Sequence, residues 1–303
     1  MKEGEVIRVD LRQVLQSRCP KLMRFVPGSL VRWVERLIRQ DDLNRLLEEN
    51  AGKEGADFCR GVLQSLDVKV ETRFPERLPS GNDRRVVFVS NHPLGGLDGM
   101  ALIDMIQRHY GGQVWFVVND LLMAVKPLEN VFLPINKFGK QSREVSRRID
   151  EAFAGNDPII IFPAGLVSRW RKVENGGDSR KVIHDLDWNK MFVTKCRAYR
   201  RDVVPLFFSG VNSMNFYNKA DLRKSLGIKF NLEQILLPGE IFSSRGKTFT
   251  VVVGERRSYE TFMQGDAREH ALSMEAGLYG LKPYADGISG EEGDSALPET
   301  KLS

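Results

Sequence analysis

Four histidines are spread over the 303 residues, at positions 92, 109, 184 and 270, and one of them stands in a setting suited to proton transfer. In the run Arg85-Val-Val-Phe-Val-Ser90-Asn91-His92-Pro93-Leu94-Gly95-Gly96-Leu97-Asp98, an apolar stretch stops at a polar cluster, turns through a proline and two glycines, and reaches an acid where a helical pattern opens. Pro93 biases His92 away from helical backbone, and Gly95 and Gly96 let the loop fold back without a Cβ penalty. Asp98 can then return to His92. A carboxylate on one imidazole nitrogen fixes the tautomer and stabilises the imidazolium, leaving the other nitrogen to take a proton from a hydroxyl or amine. The same spacing fits a plainer arrangement, with Asp98 the N-cap of a helix over 99–110 and His92 a loop histidine; the two roles are compatible. His109 falls near the end of that helix, where it complements the helix dipole, and His184 and His270 stand in no partner pattern.

The elements that must position this pair read as alternating strands and helices. Strands are expected over 68–73, 85–90, 114–118, 158–162, 203–208 and 248–253, and helices over 99–110, 142–154 and 187–200. That alternation indicates an α/β fold with a mixed, mainly parallel sheet flanked by helices, whose functional residues gather at the carboxyl ends of strands. Ahead of it, residues 1–66 read as a helical element. The stretch 29–49 carries Leu30, Val31, Val34, Leu37 and Ile38 on one face against Arg32, Glu35, Arg36 and Arg39, and 56–66 groups Phe58, Val62 and Leu63. Such an element either packs on the following domain or lies in a lipid interface with Trp33 at headgroup level. The expected organisation is a helical element over 1–66, an α/β domain over 67–285 and a disordered Gly, Ser and Glu-rich tail over 286–303.

Composition narrows the class. With 42% hydrophobic and 28% charged residues, the chain is neither disordered nor collagenous nor a disulfide miniprotein. Cys19, Cys59 and Cys196 lie too far apart for a C-x-x-C pair, which points to a reducing compartment without thiol chemistry. The first twenty residues lack an apolar leader core, and no apolar run approaches the ~20 residues of a spanning helix, so a protein neither secreted nor membrane-spanning is expected. The net charge of +5 is uneven: residues 137–201 hold fifteen Lys and Arg against eight Asp and Glu. A local positive field suits an anionic membrane, an acidic protein or nucleic acid, and is equally a property of a solvated face.

The run Ser90 to Gly99 resembles the first motif of the PlsC-like glycerolphosphate/lysophospholipid acyltransferase superfamily, an Asn-His followed by an Asp. Phe132-Leu133-Pro134-Ile135-Asn136-Lys137 resembles its second motif, Ile161-Phe162-Pro163-Ala164-Gly165 its third, and Val203-Val204-Pro205-Leu206 its fourth, in the family's order. The form His-Pro-Leu-Gly-Gly-Leu-Asp-Gly is most similar to the hemolysin-like branch, which includes O-acyltransferases of bacterial ornithine and glycine lipids. The resemblance implies transfer of an acyl group from an acyl carrier protein or coenzyme A thioester to a lipid hydroxyl, with His92 as general base, Asp98 orienting it, and no acyl-enzyme. The sequence has no G-x-S-x-G run and no cysteine beside a histidine.

The chain also departs from the family pattern. One extra residue separates His92 from Asp98, Ala164 stands where a glutamate is usual, Lys137 replaces the second motif's arginine, and no arginine follows the third motif before Arg169. Those arginines are associated with an acceptor phosphate, so the departures favour an acceptor without one, such as an N-(3-hydroxyacyl) amino acid; the alternative is a 1-acylglycerol-3-phosphate acyltransferase, whose acceptor is lysophosphatidate. The substrate-binding residues implied are Asn91, Gly95, Gly96, Lys137, Phe162, Pro163, Gly165, Arg169 and Pro205, with backbone N–H groups of 162–165 as oxyanion donors. Arg171 is a further positive group near these motifs. No metal, no tightly bound cofactor and no nucleic-acid partner are implied, and the expected location is peripheral, on the cytoplasmic face of the cell membrane. A lipid hydrolase and a non-catalytic basic membrane or nucleic-acid binder are the rival classes. The first would release acyl groups without an acceptor, and the second would keep its function after His92→Ala.

Overall fold

A computed structural model describes residues 8–18, 26–119, 122–123, 125–135, 143–175, 178–225 and 236–286. The strands are β1 (Lys69–Arg73), β2 (Val86–Ser90), β3 (Trp115–Asn119), β4 (Phe132–Ile135), β5 (Ile159–Ile161), β6 (Arg169–Asn175), β7 (Asp178–His184), β8 (Asp202–Phe208) and β9 (Thr248–Val253). The helices are α1 (Leu11–Arg18), α2 (Gly28–Leu37), α3 (Gln40–Glu49), α4 (Gly55–Ser65), α5 (Leu97–Tyr110), α6 (Arg143–Ala154), α7 (Met191–Tyr199), α8 (Met214–Ser225), α9 (Leu237–Phe242), α10 (Ala267–Tyr279) and α11 (Lys282–Ala285).

Seven strands form one sheet in the order β1-β9-β8-β2-β5-β3-β4, in which β8 and β9 are antiparallel and the other neighbours parallel. This is the mixed, mainly parallel sheet expected from the alternating pattern. Strand β2 lies inside it and all five of its residues are buried, because both faces are covered. Val86 and Phe88 point into a core shared with α4 and α5, including Phe58, Val62, Leu97 and Leu102. Val87 and Val89 point the other way, into a core built from α6, α7 and α10, with Phe153, Phe192 and Leu278. At the sheet's edge, β1 alternates exposed Lys69, Glu71 and Arg73 with half-buried positions, and charge there discourages pairing with another chain.

Several expected boundaries move. Stretch 29–49 is two helices, because Arg39 adopts left-handed backbone at φ 55°. That conformation costs about 1–2 kcal/mol; stacking of the Arg39 guanidinium over Phe242 and its 2.7 Å bond to Asp42 offset it. Of the apolar face read there, Val31 and Ile38 are buried, whereas Leu30 is 47% exposed. The helix expected from residue 187 starts at Met191, since Trp188 is held in the core by its own hydrogen bonds. The helix expected from residue 99 starts at Leu97 with Gly96 as its N-cap, which puts Asp98 inside the first turn and not at the cap. Strand β4, the antiparallel β6–β7 hairpin and helices α8, α9 and α10 add to the expected elements. Lys137 and the tail beyond Asp286 lie outside the described residues.

Candidate active site

Strands β2, β5 and β8 run parallel, so the loops following Ser90, Ile161 and Phe208 converge at one edge of the sheet. The chain goes from β2 to β3 on one side and returns through β8 on the other, which makes this the topological switch point beside which open α/β sheets bind ligands. His92 occupies it.

The imidazole Nδ1 of His92 lies 2.9 Å from Asp98 Oδ2, and the same oxygen accepts the backbone N–H groups of Leu94 (2.9 Å) and Gly95 (3.3 Å). Asp98 Oδ1 accepts from its neighbour Gly99 at 2.9 Å. Between His92 and Asp98 the loop turns at Gly95, whose φ is +86°, while Gly96 has extended φ. A side chain at position 95 would also meet Leu237 and Val167 at 2.8 Å. Asp98 is fully buried. Burial opposes its charge, but the His92 charge and the hydrogen bonds of His92, Leu94 and Gly99 outweigh that and hold the carboxyl below its usual range. An ionised carboxylate is acceptor-only, so Nδ1 carries the proton and Nε2 is left as the basic atom.

Phe162 covers one face of the imidazole, with ring centroids 4.1 Å apart and planes 19° from parallel. Phe116 supports Phe162 edge-on at 5.3 Å. A Cβ at Gly99 would come to 3.0 Å from the Phe116 ring, so the glycine lets this stack pack closely. The His92 side chain keeps 15% of its surface exposed, enough for a reacting atom to approach.

The structure thus brings together His92, Asp98, Gly95, Gly96 and Phe162, and it gives other expected residues different places. Asn91 spends its amide on β8, donating to the Phe208 carbonyl (2.8 Å) and accepting the Phe208 N–H (2.7 Å), so it extends the β2–β8 ladder. Pro163 has no N–H, and the N–H of Gly165 closes a turn onto the Phe162 carbonyl at 2.9 Å, so neither supplies the expected oxyanion donor. Pro205 is buried within β8, ahead of the residues paired with β9, and its carbonyl accepts the Gly254 N–H at 2.8 Å. Arg169 is 9% exposed, with its guanidinium on the carbonyls of Val167 (2.6 Å) and Ser168 (3.2 Å) and above the Phe216 ring. Arg171 reaches the Asp185 carbonyl and the Asp187 carboxylate, both at 2.7 Å. Cys59 and Cys196 are buried, and burial pushes both thiols up, away from nucleophilic ionisation.

Sequence reading missed a second polar group behind His92. Asp185 Oδ1 accepts the His92 N–H (3.2 Å) and the Ser168 hydroxyl (2.7 Å), and its Oδ2 accepts the Trp188 indole N–H (3.0 Å). The His92 carbonyl accepts the Ser168 N–H at 2.8 Å. Helix α10 backs this loop: Tyr279 OH accepts the Asp185 N–H (2.8 Å) and Glu275 accepts the Trp188 N–H (3.0 Å). His184 stacks on Tyr279 with centroids 3.6 Å apart, its Nδ1 3.4 Å from Glu275. Two sequence signals pointed here: Asn175-Gly176-Gly177-Asp178 between two charged runs is a hairpin signature, and Asp266 followed by Glu269 is a helix start.

Among the described residues, no three His, Cys, Asp or Glu side chains are placed to hold a metal ion, and no helix is long and apolar enough to cross a membrane. A family model described as acyltransferase matches residues 13–287. The lyso-glycine lipid O-acyltransferase of Bacteroides thetaiotaomicron is 41% identical over 262 residues, spanning 86% of this chain and 93% of that protein. Its counterpart in Phocaeicola vulgatus is also 41% identical over 262 residues, with 86% and 90% covered. The crystal structure of the 1-acyl-sn-glycerophosphate (LPA) acyltransferase PlsC from Thermotoga maritima aligns with a TM-score of 0.46 at 16% identity, covering 86% of this chain and 90% of that one. A histidine bonded to a buried carboxylate at the carboxyl end of an inner strand thus lies within a match that runs nearly the length of the molecule, and by that match the chain belongs to the acyltransferase family.

Proposed function

We propose that this enzyme moves a fatty acyl group from a thioester to the hydroxyl of an N-(3-hydroxyacyl) amino acid, completing a glycine-lipid type product. The observation that carries the reading is the 2.9 Å His92–Asp98 pair in a chain 41% identical to two lyso-glycine lipid O-acyltransferases. His92 Nε2 removes the acceptor hydroxyl proton as the oxygen attacks the thioester carbonyl. The tetrahedral intermediate collapses with loss of the thiolate, which takes the proton back from the imidazolium. Asp98 stays ionised throughout and stabilises that imidazolium, and the Phe162 ring presents its electron-rich face to it.

The donor is a thioester of acyl carrier protein or coenzyme A, both anionic, and the basic excess of residues 137–201 suits either. Residues 67–285 hold the catalytic residues; within 1–66, α4 packs into their core and α2 is the segment that meets the bilayer. On α2, Leu30 and Trp33 are about half exposed beside Arg32 and Arg36, which supports a peripheral seat on the inner face of the cell membrane. The weakened arginine positions favour an acceptor without a phosphate, and Lys137 and Arg169 are the nearest basic residues to those positions in the sequence.

The test is mass spectrometry of products from purified protein given acyl carrier protein or coenzyme A thioester with either N-(3-hydroxyacyl)glycine or lysophosphatidate. A diacyl product from the hydroxyacyl amino acid alone is expected. Turnover of lysophosphatidate with the hydroxyacyl amino acid ignored would overturn the acceptor, and thioester cleavage independent of any acceptor would make the protein a hydrolase.

A further inference from the structure

Strand β2 ends at Ser90, so the N–H and C=O of His92 have left the sheet ladder, and Pro93 after it has no N–H to offer. Buried backbone groups of this kind need partners, and which partners they find decides where the Cα of His92 sits. The bond to Asp98 and the stack on Phe162 fix the imidazole at its far end; neither fixes the near end. The near end is held from the opposite side of the sheet. Asp185 takes the His92 N–H at 3.2 Å, and Ser168 donates its N–H to the His92 carbonyl (2.8 Å) while its hydroxyl goes to Asp185 (2.7 Å).

We infer that Asp185, acting with Ser168 through the main chain of His92, is a positioning residue for acyl transfer that fixes where the reacting nitrogen points. The inference rests on the general-base reading of His92 given above. Asp185 is fully buried, and the groups on its carboxylate are the Ser168 hydroxyl, the Trp188 indole N–H and the His92 N–H, all uncharged donors. Burying a carboxylate among uncharged donors is expensive, and a lone backbone N–H could be met by a carbonyl instead. Three donors from three separate segments call for a group that accepts from all of them and donates to none, which is an ionised carboxylate. An asparagine would turn a donor toward one of them. Asp185 is itself held by Tyr279, and Trp188 by Glu275, so helix α10 anchors the same clamp. A misplacement near 1 Å at a reacting group costs on the order of 100-fold in rate, so a clamp on the backbone of the base has a measurable effect.

The test compares kcat and KM of full-length Asp185→Ala, Asp185→Asn, Ser168→Ala and His92→Ala, using the acceptor identified above, with nitrogen-15 histidine spectra of each. Asp185→Ala is expected to lower kcat about 100-fold with KM changed by less than about twofold, and to shift and broaden the His92 ring signals while those of His109 and His270 stay in place. Asp185→Asn keeps one acceptor oxygen and should recover kcat to within about 10-fold of wild type; Ser168→Ala keeps its N–H bond and should lose less than that. A wild-type kcat in Asp185→Ala, or a loss of kcat with the His92 signals unmoved, overturns the inference. If Asp185→Ala fails to fold, Asp185→Asn and Ser168→Ala decide it by the same two readouts. Full activity in His92→Ala would instead overturn the general-base reading, and the ring spectra alone would then say whether Asp185 positions His92.

Discussion

The two faces of the sheet each deliver a buried carboxylate to His92, and the two acids are held in different ways. From the layer of α4 and α5 comes Asp98, which meets the imidazole itself. From the layer of α7 and α10 comes Asp185, which meets the backbone. Both are fully buried, yet their acidities move in opposite directions. Burial raises the Asp185 carboxyl against the hydrogen bonds it accepts, whereas for Asp98 the charge and hydrogen bond of His92, with its backbone donors, overcome burial and lower it. The difference teaches that burial does not set a carboxylate's role; what sets it is whether its partner changes charge during the reaction. In the mechanism proposed above, Asp98 stabilises an imidazolium that comes and goes, and Asp185 holds the backbone that carries it.

The largest test of this comparison removes what both layers hold. His92→Ala should lower kcat about 10,000-fold without lowering the melting temperature by more than a few degrees, as read by product formation beside a thermal melt. Asp98→Asn should cost about 1,000-fold in kcat at nearly constant KM, far more than Asp185→Asn. Equal losses from these two substitutions would erase the distinction between an acid that stabilises charge and one that holds backbone. Gly95→Ala strains the loop between them, since φ there is +86° and the new methyl meets Leu237 and Val167 at 2.8 Å. It should destabilise the fold by about 3 kcal/mol and slow turnover about 10-fold, measured by urea unfolding and initial rates.

The smallest effect concerns the outer anchor of the Asp185 side. Burial pushes the Glu275 carboxyl up from 4.5 to about 7, with Trp188 N–H opposing and the Asp185 charge adding to the rise. Because its pKa is raised in the folded state, its contribution to stability is complete below pH 4.5 and is lost as pH rises through 7. Melting temperatures of wild type and Glu275→Gln should therefore diverge across that window, with the wild type losing more as pH rises; parallel curves would show that Glu275 does not titrate there.

What was legible in the sequence was local. His92 and Asp98 are separated by one short loop, and the residue types between them, a proline and two glycines, state how it turns. Strand β2 was legible because burial on both faces writes a continuous apolar run. Strand β4 was not, because Pro134 demotes a strand unless it lies at a sheet edge, which is where β4 turns out to be. The Asp185 clamp was hidden for a different reason. Its members, Ser168, Asp185, Trp188, Glu275 and Tyr279, come from the two flanks of the hairpin, the loop that follows it and α10, and no periodicity reports a contact between layers that meet only in the fold. Asn91 and Arg169 show the converse, for a motif match marks a residue type without saying whether its polar atoms face a substrate or a carbonyl.

The pairing of Val86 with Asp202 and of Lys69 with Thr248 has a consequence for how this molecule comes into being. The strand that leads to His92 is synthesised long before Ser168, Asp185 and β8, which hold it and the loop after it. Closing such long loops is entropically slow, and until β8 arrives the apolar run of β2 has an open edge on which another unfinished chain can pair. Recovery of activity on refolding should therefore coincide with completion of the sheet, not with formation of the helices that precede it.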